Sequence, residues 1–104
     1  MIQLRVSSKS EKQILEISEL LIKEHYAIDL NILPNHKRLS LENGKIVSHD
    51  LFLLTGKTKG LLFTTIDKLL NEKYPTGLPE IYSLPIMHMD WEQSKQLTED
   101  IKAV

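Results

Sequence analysis

The chain has 104 residues, of which 41% are hydrophobic and 26% charged, and its formal net charge is −1. This size and composition are typical of a single globular domain, which we expect to span residues 1–104. A nucleic-acid-binding surface would need a basic excess, so that class is disfavoured. The chain has no cysteine, which excludes disulfides, thiolate zinc sites and cysteine nucleophiles. No apolar run approaches the roughly 20 residues of a membrane span, and the N-terminus lacks an apolar signal segment, so we expect a cytoplasmic protein.

The first third of the chain predicts a strand, a helix and a second strand. The segment IQLRVSS alternates apolar and polar residues, as a half-buried strand does. Capping boxes that begin at Ser8 or at Ser10 offer two possible starts for a helix, which should end near His25. The segment YAIDLNILP alternates again, and we expect Pro34 and the basic residues after it to end this second strand.

The middle of the chain predicts a hairpin followed by a second helix. Asn43-Gly44 is a strong turn signal, and the segment KIVSHDLFLLTGKT after it has the composition of a long strand. Thr55 or Thr58 should open the next helix, which Tyr74 and the proline after it should end.

The C-terminal part predicts a short strand and a last helix. Pro85 in EIYSLPI removes a backbone donor, which favours a strand at the edge of the sheet. Asp90 and Gln93 form a further capping box. One face of the last helix is expected to carry Leu97, Ile101 and Val104.

The resulting order, β-α-β-β-α-β-α, is the ferredoxin-like βαββαβ pattern of an α+β fold with one extra C-terminal helix. Such an antiparallel sheet carries its two main helices on one face. The opposite face begins polar, at Gln3, Arg5 and Asn31, but also receives part of the apolar run Leu51–Leu54. A mixed face of this kind is what oligomerisation would cover.

Three stretches resemble the CutA divalent-ion tolerance family. These are NILP, the segment GKIV with the strand that it opens, and YPTGLPEIYSLPI, and their order and spacing agree from about residue 2 to residue 101. The last stretch is the most specific, and its matching positions are Pro75, Pro79, Glu80, Ile81, Leu84, Pro85 and Ile86. The other matching positions are Asn31, Pro34, Gly44, Lys45, Lys57 and Thr58.

This resemblance implies a homotrimer of ferredoxin-like subunits whose edge strands pair with one another. It also implies a non-enzymatic role in tolerance of copper and other divalent cations, that is, in the response to metal ions. The family shares its trimeric architecture with the PII-type signalling proteins. A PII-like sensor that binds a small effector between subunits is therefore an alternative, and a scaffold that presents loops to a protein partner is a third hypothesis.

The chain departs from the family at the positions that the resemblance links to copper. Asp29 lies where family members often carry a cysteine, and Tyr74 lies where the family motif has a histidine. Thr76 and Gly77 replace the Tyr and Glu of the same motif, and Trp91 is out of register with the family's C-terminal aromatic residues. The resemblance thus predicts the fold, whereas the usual metal positions are lost.

A weak metal candidate remains in the segment PIMHMDW. The side chains of Met87, His88 and Met89 are soft ligands that suit copper. Neighbouring residues of a strand point to opposite faces, so they converge on one ion only if the strand breaks there. The alternative is that the strand simply ends and Asp90 caps the last helix. His49 is a further metal candidate, at the rim of a subunit junction.

Five polar residues are candidates for a cleft between subunits. Asp29 faces away from the helices, where Arg5 is a possible partner, so the two form either a structural ion pair or part of a ligand site. Glu80 lies on a family motif position and is a candidate for the same cleft together with Lys57 and Tyr82. The alternative for Glu80 is a solvated or salt-bridged surface position.

No catalytic motif is present. The segment TGKTKG lacks the first glycine of a phosphate-binding loop at the required spacing. No Ser-His-Asp order or pair of carboxylates rises above chance in so short a chain. We therefore expect a protein that is not an enzyme and that has no firm cofactor.

Overall fold

The computed structural model describes residues 1–103, which form a four-stranded antiparallel sheet with helices against one face. The elements are β1 (Ile2–Ser8), α1 (Glu11–Lys23), β2 (Ile28–Glu42), β3 (Lys45–Thr58), a 3-10 turn (Gly60–Leu62), α2 (Phe63–Lys73), β4 (Glu80–Pro85) and α3 (Trp91–Asp100). The strand order is β2-β3-β1-β4. The predicted sequence of elements and the edge position of β4 are confirmed.

Helix α1 begins at the second of its two predicted starts. Ser10 is the N-cap, and its hydroxyl accepts a hydrogen bond from the backbone N–H of Gln13 at 3.1 Å. Ser8 instead lies at the end of β1 and accepts from the N–H of Ser10 at 3.0 Å. The helix stops where His25 turns into the left-handed region, at φ +57°.

Strand β2 does not end at Pro34, and this prediction was wrong. The strand continues to Glu42 through two irregularities in its pairing with β3, one between Ile28 and Asn31 and the other between Leu33 and His36. β2 lies at the edge of the sheet, where the backbone nitrogen of a proline can face solvent without breaking a ladder hydrogen bond. The irregularities therefore allow the strand to pass a residue that would end a central strand.

The predicted start of the second helix was also wrong. Thr55 and Thr58 both lie in β3, where Thr58 pairs with Ile2 of β1. The Thr58 side chain is fully buried and donates a hydrogen bond to the carbonyl of Tyr26. Helix α2 begins later, at Phe63, and ends at Lys73, with Tyr74 as its C-cap, where the sequence predicted its end. Thr58 is β-branched, which favours a strand, and its hydroxyl already has a hydrogen-bond partner there, so it does not cap a helix.

The core lies between the helices and the sheet. All three helices contribute buried side chains to it, and α3 contributes Leu97, with Ile101 directly after it. Each fully buried aliphatic side chain contributes roughly 2 kcal/mol to folding. Val104, the third residue expected on that face of α3, lies outside the described residues. No helix within residues 1–103 is both long enough and apolar enough to cross a membrane.

The β2–β3 hairpin extends well beyond the sheet. β1 pairs only with residues 52–58 of β3, so the segment 36–51, here called the arm, is a two-stranded ribbon. Its seven residue pairs give it a length of roughly 24 Å. Asn43 and Gly44 form its turn, both with positive φ, as the sequence predicted. One face of the arm exposes Leu39, Leu41 and Ile46, at 68%, 73% and 78%.

Candidate functional site

The face of the sheet opposite the helices, here called the open face, carries a row of polar side chains. The strand registers place Asn31, Thr55, Arg5 and Tyr82 side by side on β2, β3, β1 and β4. The guanidinium of Arg5 stacks on the ring of Tyr82, with its central carbon 5.7 Å from the ring centroid. Its other polar contact is a long hydrogen bond of 3.4 Å to the side chain of Gln3. Two of the five predicted cleft residues are thus in direct contact.

Glu80 lies one row further along the open face and is salt-bridged there, as the alternative prediction for it had it. Its carboxylate is 2.9 Å from the guanidinium of Arg38, which also donates to the hydroxyl of Ser7 at 3.0 Å. Arg38 lies on β2 beyond Pro34 and reaches across β3 to make these contacts. Glu80 therefore joins the arm to β4, and it shares no ion pair with Lys57.

Asp29 is paired with Lys57, so the prediction of Arg5 as its partner was wrong. The ammonium of Lys57 is 3.4 Å from the Asp29 carboxylate and 2.8 Å from the side-chain oxygen of Gln93. The cause is the irregularity in β2, where Asp29 has a φ of +52° and leaves the alternation that would have aligned it with Arg5. Asp29 instead lines a cleft of about 560 Å³ between α1, β2 and α3.

The segment that contains His88 is a connection between β4 and α3. β4 ends at Pro85 and α3 begins at Trp91. The side chain of Met87 is 81% exposed, whereas Met89 packs partly against the core. The carboxylate of Asp90 accepts a hydrogen bond from the N–H of Gln93 at 3.0 Å. The N-cap alternative is therefore confirmed, and the two methionines point to different surroundings.

His49 lies on the arm and pairs with Glu42. Its Nε2 is 2.7 Å from the Glu42 carboxylate. This hydrogen bond from His49, with a second from Ser40, lowers the pKa of Glu42 below its usual value. The contact spans the two strands of the ribbon close to its turn. His49 therefore links the two strands of the arm through Glu42.

The structure does not bring the proposed histidines together with carboxylates into a metal site. Within residues 1–103, no three His, Asp or Glu side chains are grouped so that they could hold a metal ion. His88 lies in the connection between β4 and α3, whereas His49 lies on β3 and is engaged with Glu42. A stable site for copper or zinc needs several convergent ligands. The His, Asp and Glu side chains of residues 1–103 do not form such a site within one subunit.

The sequence did not indicate the roles of Arg38 and Gln93. Arg38 pairs with Glu80, and Gln93 accepts a hydrogen bond from Lys57, the partner of Asp29. Arg38 was grouped with the basic residues that were expected to end β2. Gln93 was seen only as part of a capping box. The alternation of side chains along the arm indicates where Arg38 points. Arg38 pairs with His49, which shares a face with Leu51, so Arg38 lies on that face too.

Solved structures share this architecture over almost its whole length. The divalent cation tolerance protein of Thermus thermophilus superposes with a TM-score of 0.83, at 26% identity, over 98% of this chain and 100% of that one. A CutA1 structure from Oryza sativa gives a TM-score of 0.85 at 20% identity, over 99% and 94% of the two chains. The fold therefore places the chain in the class of small α+β proteins to which divalent cation tolerance proteins belong.

Sequence comparison defines the family. The family model described as "CutA1 divalent ion tolerance protein" matches residues 2–99. The divalent-cation tolerance protein CutA of Thermus thermophilus is 28% identical over 91 residues, which cover 83% of this chain and 88% of that protein. The chain belongs to the CutA1 divalent ion tolerance family, as its motifs predicted.

Proposed function

We propose that this protein acts without catalysis, as a homotrimer, in tolerance of copper or other divalent cations, and that it holds metal only weakly. The observation that carries this proposal is the family match over residues 2–99. The name of the Thermus thermophilus relative, a divalent-cation tolerance protein, supports the same cellular role.

The arm supports the trimer. A two-stranded ribbon is at best marginally stable in water unless something packs on it. Here the ribbon also exposes an apolar face and an unpaired edge, which favour association. A second copy of the chain offers the same unpaired edges at β2 and β4. Pairing between subunits would therefore cover surface that a monomer leaves in water.

One ion pair and one hydrogen bond support weak metal binding. At the position where relatives often have a cysteine, the Asp29 carboxylate is bound by Lys57. At the position of the family's motif histidine, the hydroxyl of Tyr74 donates to Glu16 at 3.5 Å. A tyrosine hydroxyl and a carboxylate already paired with an ammonium are poor substitutes for a thiolate and an imidazole as copper ligands.

Native mass spectrometry after incubation with copper and zinc ions tests the assembly and the metal occupancy together. We expect a species at three times the chain mass of 12.0 kDa that retains no stoichiometric metal. A monomer would contradict the trimer, and a wild-type trimer with one metal per chain would contradict weak binding. Asp29→Cys should raise copper occupancy, whereas the control Glu72→Cys, at an exposed position on α2, should raise it much less.

The cellular role needs its own test. A strain that lacks the gene should grow more slowly than its parent at elevated copper, and the wild-type gene should restore growth. Equal growth of the two strains across copper, zinc and cobalt would contradict the role in tolerance. A small molecule that raised the melting temperature of the trimer without metal would support the PII-like alternative instead, because a ligand stabilises the state that it binds.

A further inference from the structure

The arm joins the rest of the subunit through one regular strand and one irregular strand. β3 runs from the arm into the sheet in regular register with β1. β2 instead has an irregularity at the base of the arm, between Leu33 and His36. Pro34 has no backbone N–H to donate there, and Asn35 is left-handed, with a φ of +59°. Because a bulge bends the strand that carries it, residues 34–35 form a hinge at which the angle of the arm can change.

Arg38 is the side chain that connects the arm to the rest of the subunit across this hinge. Its guanidinium is 2.9 Å from the carboxylate of Glu80 and donates to the hydroxyl of Ser7 at 3.0 Å. Every other ion pair or side-chain hydrogen bond that the arm makes within residues 1–103 joins two residues of the arm itself. The contacts of Arg38 are therefore the polar link between the arm and the sheet.

The reach of Arg38 shows that the arm is bent or strongly twisted at its base. Arg38 pairs with His49 of β3. Ser7 pairs with Leu53, four residues further along the same strand. In a flat sheet, the Cα atoms of Arg38 and Ser7 would be roughly 16 Å apart, at about 3.3 Å per residue and 4.8 Å per strand. The two side chains together do not span that distance, so their contact requires the arm to turn towards β1 and β4.

We propose that the Arg38–Glu80 ion pair sets the angle of the arm against the sheet, across the hinge at residues 34–35. The pair holds the arm in one orientation before another subunit binds it. An arm that is already oriented loses less conformational freedom on association, so the pair favours assembly. This effect on assembly rests on the proposed homotrimer, whereas the angle of the arm is a property of each subunit.

The test measures the distance between the arm and α2 with two spin labels and pulsed electron paramagnetic resonance. The chain has no cysteine, so labels attach only at Lys45→Cys, by the turn of the arm, and at Glu72→Cys on α2, which are both exposed positions. Labelled chains are refolded with an excess of unlabelled chains of the same variant, so that the distances recorded lie within one subunit. We expect one narrow distance distribution for the protein with Arg38 and Glu80 intact.

Two variants remove the ion pair, and a third is the matched control. Arg38→Gln and Glu80→Gln should each broaden the distance distribution, and the double variant should broaden it little further, because both changes remove the same contact. Lys37→Gln should leave the distribution narrow. Lys37 is the neighbouring residue and has an ion pair of the same length, 2.9 Å, but its partner Asp50 lies within the arm. If Arg38→Gln does not fold, Glu80→Gln tests the same contact.

The effect on assembly is measured on the unlabelled proteins by analytical ultracentrifugation. A partly exposed ion pair changes an equilibrium by about threefold. Its loss from three subunits should therefore weaken the association of the trimer by roughly thirtyfold, provided that the three sites act independently. Lys37→Gln should change the association much less.

Three results of the distance measurement would overturn the proposal. The first is a broad distribution in the protein with the ion pair intact, and the second is a narrow one in both Arg38→Gln and Glu80→Gln. The third is equal broadening by Lys37→Gln. A monomeric wild type whose distribution broadens only when the Arg38–Glu80 pair is removed would support the hinge and contradict the homotrimer, so the two failures are distinguishable.

Discussion

Tyr74 should ionise at a higher pH in the folded protein than a free tyrosine does. Burial raises the pKa of its phenol above the usual 10.0, and the negative charge of the neighbouring Glu16 adds to the effect. The folded state therefore favours the neutral phenol. The resulting stabilisation is complete below pH 10 and is lost as the pH rises through the folded-state pKa. The ultraviolet absorbance difference between wild type and Tyr74→Phe isolates this phenol, and its titration midpoint should lie above 10.

Glu16→Gln separates the two causes of the raised pKa. This variant keeps the shape of the side chain and removes the charge, so the midpoint of Tyr74 should fall towards the usual value without reaching it. A wild-type midpoint at or below 10 would contradict the effect of burial. An unchanged midpoint in Glu16→Gln would contradict the contribution of the carboxylate.

Local hydrogen-bonding roles could be predicted from the sequence, whereas the partners of the charged residues could not. Asp90 caps α3 as its spacing from Gln93 indicated. The same alternation argument that placed β2 failed for Asp29, because one left-handed residue in that strand changed which side chains it could reach. A cap depends on residues three positions apart, whereas an ion pair across strands depends on a register that an irregularity can change.

At the scale of elements, the type and order of the strands and helices followed from periodicity, and the errors fell at two boundaries. Pro34 was expected to end β2, but the position of that strand at the sheet edge allows it to continue. Thr58 was expected near the start of a helix, but it is buried in the sheet opposite Ile2. In both cases tertiary position outweighed a local signal that was correctly identified.

The turn of the arm should depend on the glycine that forms it. Gly44 has a φ of +76° with open space where a Cβ would lie, so the cost of Gly44→Ala is conformational and not steric. An alanine in the left-handed region costs about 1 kcal/mol or slightly more. We expect Gly44→Ala to lower the urea midpoint by a corresponding amount, with all proteins compared at one concentration because association affects stability.

Gly60→Ala is the matched control for the turn. Gly60 lies in the 3-10 turn before α2 without a positive φ, and an added Cβ would meet only ordinary contact with Ile2 at 3.8 Å. Replacing glycine at such a position is neutral or slightly stabilising, because it restricts the unfolded chain. Equal losses in the two variants would show that the left-handed conformation of Gly44 does not limit stability.

At the scale of the whole molecule, the arm explains why the chain is so elongated. The molecule measures 47 × 29 × 20 Å, and the arm contributes its length while leaving Leu39, Leu41 and Ile46 exposed. Leu41 and Ile46 lie opposite one another on the same face of the arm, near its turn. They continue the sheet face that the helices cover elsewhere, but no helix of the described chain lies beneath them. A surface that costs free energy in a monomer is typical of a contact between subunits.

Replacing this apolar pair should therefore dissociate the proposed trimer. If Leu41 and Ile46 are buried between subunits, their replacement by serine loses roughly 2 kcal/mol for each side chain, which is enough to shift the assembly towards monomers at micromolar concentration. Light scattering after size-exclusion chromatography measures the mass directly. Leu61→Ser is the control, because Leu61 is 77% exposed but lies in the 3-10 turn and not on the arm. A double variant that kept the mass of the wild type would remove the arm from the interface, and equal dissociation by the control would show that any loss of exposed apolar surface has the same effect.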